Sequence, residues 1–128
     1  MIVKQIKDGV LDNFSYLIGC EKTREAIVVD PAGDVDRILN EAQKAGLNIK
    51  YIVNTHGHGD HASGNARLKE LTSAKIIMHN HDADRYKAID IQLDQEKTLQ
   101  LGEIQFQIFH IPGHIIRKLM ELPDDTII

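Results

Sequence analysis

The chain has 128 residues, one cysteine and a formal net charge of −4, and 42% of its residues are hydrophobic while 27% are charged. This length supports one domain with its own core, spanning residues 1–128, and the composition excludes a disordered or fibrous protein. No apolar stretch approaches the roughly 18 residues that span a bilayer, no basic cluster points to a nucleic-acid partner, and the first residues lack the features of a secretory signal. We therefore expect a single cytoplasmic domain with no membrane and no nucleic acid among its partners.

The first part of the chain predicts an antiparallel meander of three strands. Residues 2–6 alternate loosely, residues 14–19 are rich in side chains that favour a sheet, and the apolar run 26–29 stops at Asp30-Pro31. Because the segments between these runs are short, consecutive strands are expected to pair antiparallel.

The pattern then takes the period of a helix. One helical face is formed by Val35, Ile38, Leu39, Ala42 and Ala45. Asp34 fits the N-cap, and Gly46 stands where such a helix would end.

The rest of the chain alternates between strands and helices. Strands are expected at residues 51–53, 75–78, 99–101, 105–111 and 118–122, and helices around residues 62–71 and 82–88. This alternation predicts a layered α/β protein.

Histidines are the most informative residues. All seven lie between positions 56 and 114, in three groups: His56, His58 and His61; His79 and His81; His110 and His114. Histidine is the commonest metal ligand and is suited to proton transfer near neutral pH, so the clustering favours a site over random scatter.

The densest group lies in the segment Thr-His-Gly-His-Gly-Asp-His, residues 55–61. This segment follows a buried strand, and α/β sheets usually place their sites at the carboxyl ends of strands. His56 and His58 are two residues apart, so in an extended segment both side chains point the same way and reach one ion. Asp60 and His61 follow closely enough to address a second ion. Such a set of nitrogen and oxygen donors suits zinc, iron or manganese.

These residues and their surroundings resemble the metallo-β-lactamase superfamily. Residues 55–61 fit its HxHxDH signature, residues 28–31 and 60–65 fit the flanking strand end and helix start, and His-Ile-Pro-Gly-His at 110–114 resembles its later H-T-P-G-H segment. The resemblance runs from about residue 12 to residue 114. It implies a four-layer αβ/βα sandwich with metals between two sheets, of which this chain would form the N-terminal part.

The resemblance also implies a role for each matching residue. His56, His58 and His114 would hold a first metal ion, while Asp60 and His61 would contribute to a second. Asp60 would also be catalytic, by orienting a hydroxide and handling protons as the leaving group departs. The implied cofactor is zinc, one or two ions, with iron or manganese as alternatives. A bound divalent ion generates a nucleophile at neutral pH, so the implied reaction is hydrolysis of an ester, thioester, amide or phosphoester in a small-molecule substrate.

The remaining chemically reactive residues are expected to have simpler roles. His110 is expected to be a packed or supporting residue rather than a ligand. His79 and His81 are interpreted as exposed loop residues, and a position at the rim of the site is the less favoured alternative. Cys20 has no cation or histidine near it in the sequence and is expected to be inert.

Two departures from the family pattern affect the expected fold. Residues 115–118 replace the usual turn after P-G-H, and the sequence stops at 126–128, before the family's metal-bridging aspartate and last histidine. Asp124 and Asp125 do not match that aspartate. We therefore expect apolar side chains to be exposed on the inner face of the first sheet and a second copy to cover them as a homo-oligomer. Alternatively, the chain is a fragment of a longer product or a decayed copy.

Two further functions remain open. The scaffold resembles that of persulfide dioxygenases, so a mononuclear-iron oxidoreductase is possible because His56, His58 and His114 suffice for one metal. A truncated metal-binding domain without catalysis is the other. Hydroxyacylglutathione hydrolases carry further substrate-binding residues in a C-terminal part that this sequence lacks, and the expected location disfavours β-lactamase activity.

Overall fold

The computed structural model describes residues 1–7, 14–31, 34–54, 64–79, 89–93, 97–111, 114–119 and 126–127. In chain order these residues form β1 (Ile2–Lys7), β2 (Phe14–Gly19), β3 (Glu25–Val29), α1 (Val35–Ala45), β4 (Asn48–Val53), α2 (Asn65–Thr72), β5 (Lys75–His79), β6 (Ile91–Leu93), β7 (Lys97–Leu101), β8 (Ile104–Ile111), β9 (His114–Leu119) and β10 (Thr126–Ile127). Neither of the two helices within these ranges is long and apolar enough to cross a membrane.

The first sheet has six strands in the spatial order β1–β2–β3–β4–β5–β6. The pairs β1–β2 and β2–β3 are antiparallel, which confirms the predicted meander. The pairs β3–β4, β4–β5 and β5–β6 are parallel. In the first two of these pairs, α1 and α2 lie in the connections that return the chain to the same end of the sheet. The carboxyl ends of β3, β4 and β5 therefore lie along one edge of the sheet.

Helix α1 has the boundaries that the sequence predicts. The Asp34 carboxylate accepts a hydrogen bond from the backbone N–H of Arg37 at 3.0 Å, which caps the amino end. At the other end Gly46 adopts a left-handed conformation with φ of 67°, and its N–H donates to the carbonyl of Gln43. Glycine takes this conformation without the steric cost that a Cβ atom brings, so the helix stops there.

Buried side chains form one cluster on each face of the first sheet. The cluster that includes helix residues contains Leu17, Val28, Ile38, Ile52, Leu68 and Ile76, among others. The cluster on the opposite face, which we call the inner cluster, contains Ile18, Ile27, Val29, Val53 and Ile77 together with Cys20, Leu101 and Ile104. The first sheet is therefore packed on both faces.

The second sheet corrects the expectation of an exposed inner face. It is antiparallel, with the order β10–β9–β8–β7. Leu101 of β7 and Ile104 of β8 pack against the first sheet. The five side chains that the first sheet's strands contribute to the inner cluster are each no more than 1% exposed. The prediction was wrong for these residues because the β7–β8 hairpin, which belongs to this same chain, already covers them.

Other strand boundaries also differ from the sequence prediction. The strand expected at 118–122 is observed at His114–Leu119, because the backbone pairs directly with β8 from Ile111 opposite His114 onward. The three-residue strand β6 was not predicted, since so short a segment has no recognisable period. Gly102 and Glu103 form the turn between β7 and β8, with φ of 57° at Gly102. The helix expected at 82–88 lies outside the described residues.

Candidate metal centre

The parallel strands bring three chain segments to one edge of the first sheet. Val29, Val53 and Ile77 are aligned across β3, β4 and β5. Asp30 follows β3, Asn54 follows β4, and β5 ends at His79. The segment that carries the predicted metal ligands therefore leaves the sheet from the middle of this edge, between two parallel neighbours.

Most of the predicted ligands lie outside the described residues. This holds for His56, His58, Asp60 and His61, so their roles stay predictions. His114 is the first residue of β9. Within the described ranges no three histidine, cysteine, aspartate or glutamate residues come together to hold a metal ion.

The other histidines have the following places. His110 lies in β8, where its backbone pairs with Ile115 of β9. His79 is the last residue of β5, so it lies in a strand rather than in the loop where it was expected. His81 falls outside the described residues.

The two ends of the segment with the predicted ligands are joined by buried asparagines. Asn54 and Asn65 are both fully buried, and their side-chain amides bond to each other in both directions, at 3.2 Å and 2.5 Å. The backbone N–H of Asn54 also donates to the carbonyl of Ile77 at 3.2 Å. Sequence reasoning missed this pair. Its signal was an amide residue directly after a buried strand and another at the start of the following helix.

Gly64 holds the returning chain against the end of β3. Its N–H donates to the carbonyl of Pro31 at 2.8 Å. A Cβ atom at this position would lie 2.7 Å from that carbonyl oxygen and 2.8 Å from a methyl carbon of Val35. Only glycine allows this close approach without displacing backbone. We call Pro31, Asn54, Gly64 and Asn65 the loop base.

The end of β3 is itself fixed. Asp30 is buried, adopts a left-handed conformation with φ of 51°, and donates its N–H to the carbonyl of Val53 at 2.9 Å. Its own carbonyl accepts a hydrogen bond from the buried Ser15 hydroxyl at 2.7 Å. Aspartate tolerates this backbone conformation better than most residues, which explains its place at the turn before Pro31.

Cys20 lies at the opposite end of β3 from the loop base. Its N–H bonds the carbonyl of Glu25, the first residue of that strand. A hydrogen bond from the Thr23 hydroxyl, supported by backbone N–H groups including that of Glu103, lowers the pKa of the thiol to about 7. The residue is only 3% exposed, which limits access to reagents. Cys20 and the loop base are therefore at opposite ends of this strand.

Comparison with known proteins decides the family. A sequence model of the metallo-beta-lactamase superfamily matches residues 8–124. The chain belongs to this superfamily. Hydroxyacylglutathione hydrolase from Maricaulis maris is 38% identical to it over 103 residues, which cover 80% of this chain and 40% of that protein. This superfamily member thus spans less than half the length of the curated relative it matches.

Solved structures agree with this assignment. A metallo-beta-lactamase from Staphylococcus aureus superimposes with a TM-score of 0.83 at 28% identity, covering 98% of this chain and 40% of that one. ETHE1 from Myxococcus xanthus gives a TM-score of 0.82 at 29% identity, covering 93% of this chain and 54% of that one. The predicted fold class is confirmed: the chain is a mixed α/β structure that corresponds to part of the metallo-β-lactamase domain.

Proposed function

We propose that this chain forms the zinc-binding part of a metal-dependent hydrolase that cleaves a hydroxyacyl thioester of glutathione. The observation that carries this proposal is the 38% identity to a hydroxyacylglutathione hydrolase. A stretch of 103 residues in a chain of 128 must include residues 55–61, so the similarity extends through the histidine segment. Residues 1–128 then act as a single, incomplete metallo-β-lactamase-like domain.

The donor chemistry of the chain fits zinc. Three histidines and one aspartate between positions 56 and 61 offer imidazole nitrogens and a carboxylate, which are the ligands that zinc takes in catalytic sites. The loop base supports this proposal because Asn54 and Gly64 hold both ends of the segment at the sheet edge where α/β proteins bind ligands.

The direction of β8 supports the participation of His114. The turn before β8 lies at the amino end of β3, because a Cβ atom on Gly102 would contact both Thr23 and Cys20. β8 then extends for eight residues, whose seven steps of about 3.3 Å give a length of roughly 23 Å. This length exceeds that of the five-residue β3. A strand laid along β3 would therefore carry the β8–β9 connection, and with it His114, to the edge where the loop base lies.

The residues take the following roles in this proposal. His56, His58 and His114 hold a first ion, and Asp60 with His61 contribute to a second. Zinc, when bound, lowers the pKa of a water molecule to about 7 and polarises the thioester carbonyl. The carboxylate of Asp60 orients the attacking water and accepts its proton. As the carbon–sulfur bond breaks, that proton passes to the departing glutathione sulfur.

Thiol release from a zinc-loaded sample tests the proposal. The protein is mixed with a hydroxyacyl thioester of glutathione, and the free thiol is followed with a chromogenic disulfide. Asp60→Asn is expected to lower kcat by at least about 100-fold, since general acid–base groups contribute that much. Asp36→Asn is the matched control, because Asp36 is an exposed carboxylate in the first turn of α1. No release by the wild type, or equal rates in wild type and Asp60→Asn, would refute the proposal.

Metal analysis of the purified protein, combined with activity measurements, distinguishes the two alternative functions from the proposed one. Iron in the purified protein together with oxygen consumption would favour the mononuclear-iron oxidoreductase. Metal binding without turnover would favour a non-catalytic metal-binding domain. A cytoplasmic location and a homo-oligomer stay predictions, and the second has lost its main physical argument because the inner-cluster side chains are buried within one chain. Native mass measurement tests it.

A further inference from the structure

The asparagine pair of the loop base joins the residue after β4 to the first residue of α2. Asn54 and Asn65 are both 0% exposed, and each donates an amide N–H to the carbonyl oxygen of the other. Buried polar groups are costly unless bonded, so a pair of this kind needs an explanation in terms of what it holds together.

We propose that Asn54 and Asn65 are positioning residues that pre-organise the metal-binding segment between them. This inference rests on the proposed function, because it assigns to the pair the task of presenting the predicted ligands. It adds two residues that lie outside the histidine segment 55–61.

The topology gives the pair this capacity. The two side chains are in hydrogen-bond contact, so the chain positions directly before and after residues 55–64 meet at one point of the sheet edge. Four of the five predicted ligands, His56, His58, Asp60 and His61, lie between these two asparagines in the sequence. The loop ends are also tied to the backbone, at Asn54 by the Ile77 carbonyl and at Gly64 by the Pro31 carbonyl.

Pre-organisation has a thermodynamic consequence for metal affinity. Closing a loop has an entropic cost, and a protein that has already closed it leaves less for the bound ion to order. Without the pair, the ordering of the same ligands takes place when zinc binds, and its entropic cost reduces the free energy of zinc binding. The expected result of breaking the pair is weaker zinc binding in a protein that is still folded.

A variant that removes the amide bonds separates positioning from stability. Leucine is γ-branched like asparagine although bulkier, and replacing both partners of a buried hydrogen bond by apolar groups of similar shape can be nearly neutral for stability. Asn54→Leu/Asn65→Leu therefore removes the directional amide bonds and puts an apolar contact in their place. Thr72→Val is the matched control, because it removes the hydrogen bond from the Thr72 hydroxyl to the Leu68 carbonyl in the same helix, at the end remote from the loop base.

Zinc affinity is measured on the full chain by competition with a chromophoric chelator, and the melting temperature is measured on the same zinc-free samples. The double leucine variant is expected to bind zinc 10- to 100-fold more weakly than the wild type, the usual effect of losing groups that orient metal ligands. Its melting temperature is expected to stay within a few degrees, and Thr72→Val is expected to keep the wild-type affinity. The visible absorption of the cobalt-substituted protein should change in the double variant, since the ligand geometry is altered.

Each result has a distinct meaning. Equal zinc affinity in the wild type and the double variant overturns the inference and leaves the proposed function standing. A wild type that binds no zinc overturns both. If the double variant does not fold, Asn65→Ser is compared with Thr72→Val at matched melting temperature. Asn65→Ser must then bind zinc at least 10-fold more weakly than that control, and equal affinity overturns the inference.

Discussion

Because the β7–β8 hairpin covers the first sheet, Leu101→Ala should greatly lower the free energy of unfolding. Leu101 is 0% exposed and belongs to the inner cluster with Ile18 and Ile27. The substitution removes three carbon groups, each worth about 0.8 kcal/mol when buried. The remaining cavity adds to this loss, so the free energy of unfolding should fall by about 3 kcal/mol. That is a large share of the roughly 5 to 15 kcal/mol that stabilises a typical domain.

Urea unfolding followed by circular dichroism measures this loss, because the chain has no tryptophan for fluorescence. Leu71→Ala is the matched control: Leu71 is 55% exposed, and its truncation should change the free energy of unfolding by less than about 0.5 kcal/mol. Leu68→Ala, in the fully buried cluster on the other face, should cost as much as Leu101→Ala. A large effect at Leu68 with a negligible one at Leu101 would show that the second sheet does not pack on the first.

Three further predictions concern the backbone and the titrating groups. Gly46→Ala should destabilise the protein by about 1 kcal/mol in urea unfolding, because the added Cβ meets a left-handed backbone and gains no contact; an unchanged midpoint would contradict the C-cap. A hydrogen bond from Lys69, together with the Ile76 N–H, holds the pKa of Asp90 below its usual value, so its stabilisation is present above about pH 4 and is lost as the pH falls through the lowered pKa. Asp90→Asn should therefore lower stability at pH 7 and flatten the acid side of the pH–stability curve; an unaltered curve would refute the assignment. Alkylation of native Cys20 should be slow and have its midpoint near pH 7, whereas in urea the midpoint should move to about 8.5; equal midpoints would contradict the lowered pKa.

The sequence predicts best where local chemistry decides the structure. The boundaries of α1 follow from Asp34 and Gly46, whose capping geometry depends on a few neighbouring residues. The layered α/β arrangement was predicted from the alternation of strands and helices, and α1 and α2 do lie between the parallel strands β3, β4 and β5. The exposed inner face was predicted wrongly because coverage by Leu101 and Ile104 is a contact between distant parts of the chain, which no local pattern encodes.

In the candidate site, too, the local pattern could be predicted from the sequence, whereas the tertiary contacts could not. The histidine segment is recognisable because metal ligands require particular side chains at close spacing. Asn54 and Asn65 were missed because an asparagine at a strand end or a helix start is usual in loops, and only the fold shows that the two are buried against each other. The close approach of Gly64 to Pro31 is likewise a tertiary contact.

The binding of a metal ion by residues 55–61 is the basis of the proposed function. Its most direct test is elemental analysis of the purified chain, with the native mass determined on the same sample, for the wild type and for His56→Ala/His58→Ala. We expect one or two zinc ions per wild-type chain and a loss of the first ion in the variant, with the melting temperature of the zinc-free proteins unchanged. Equal metal content in both proteins, or a folded wild type that binds no metal when zinc is supplied, would contradict it.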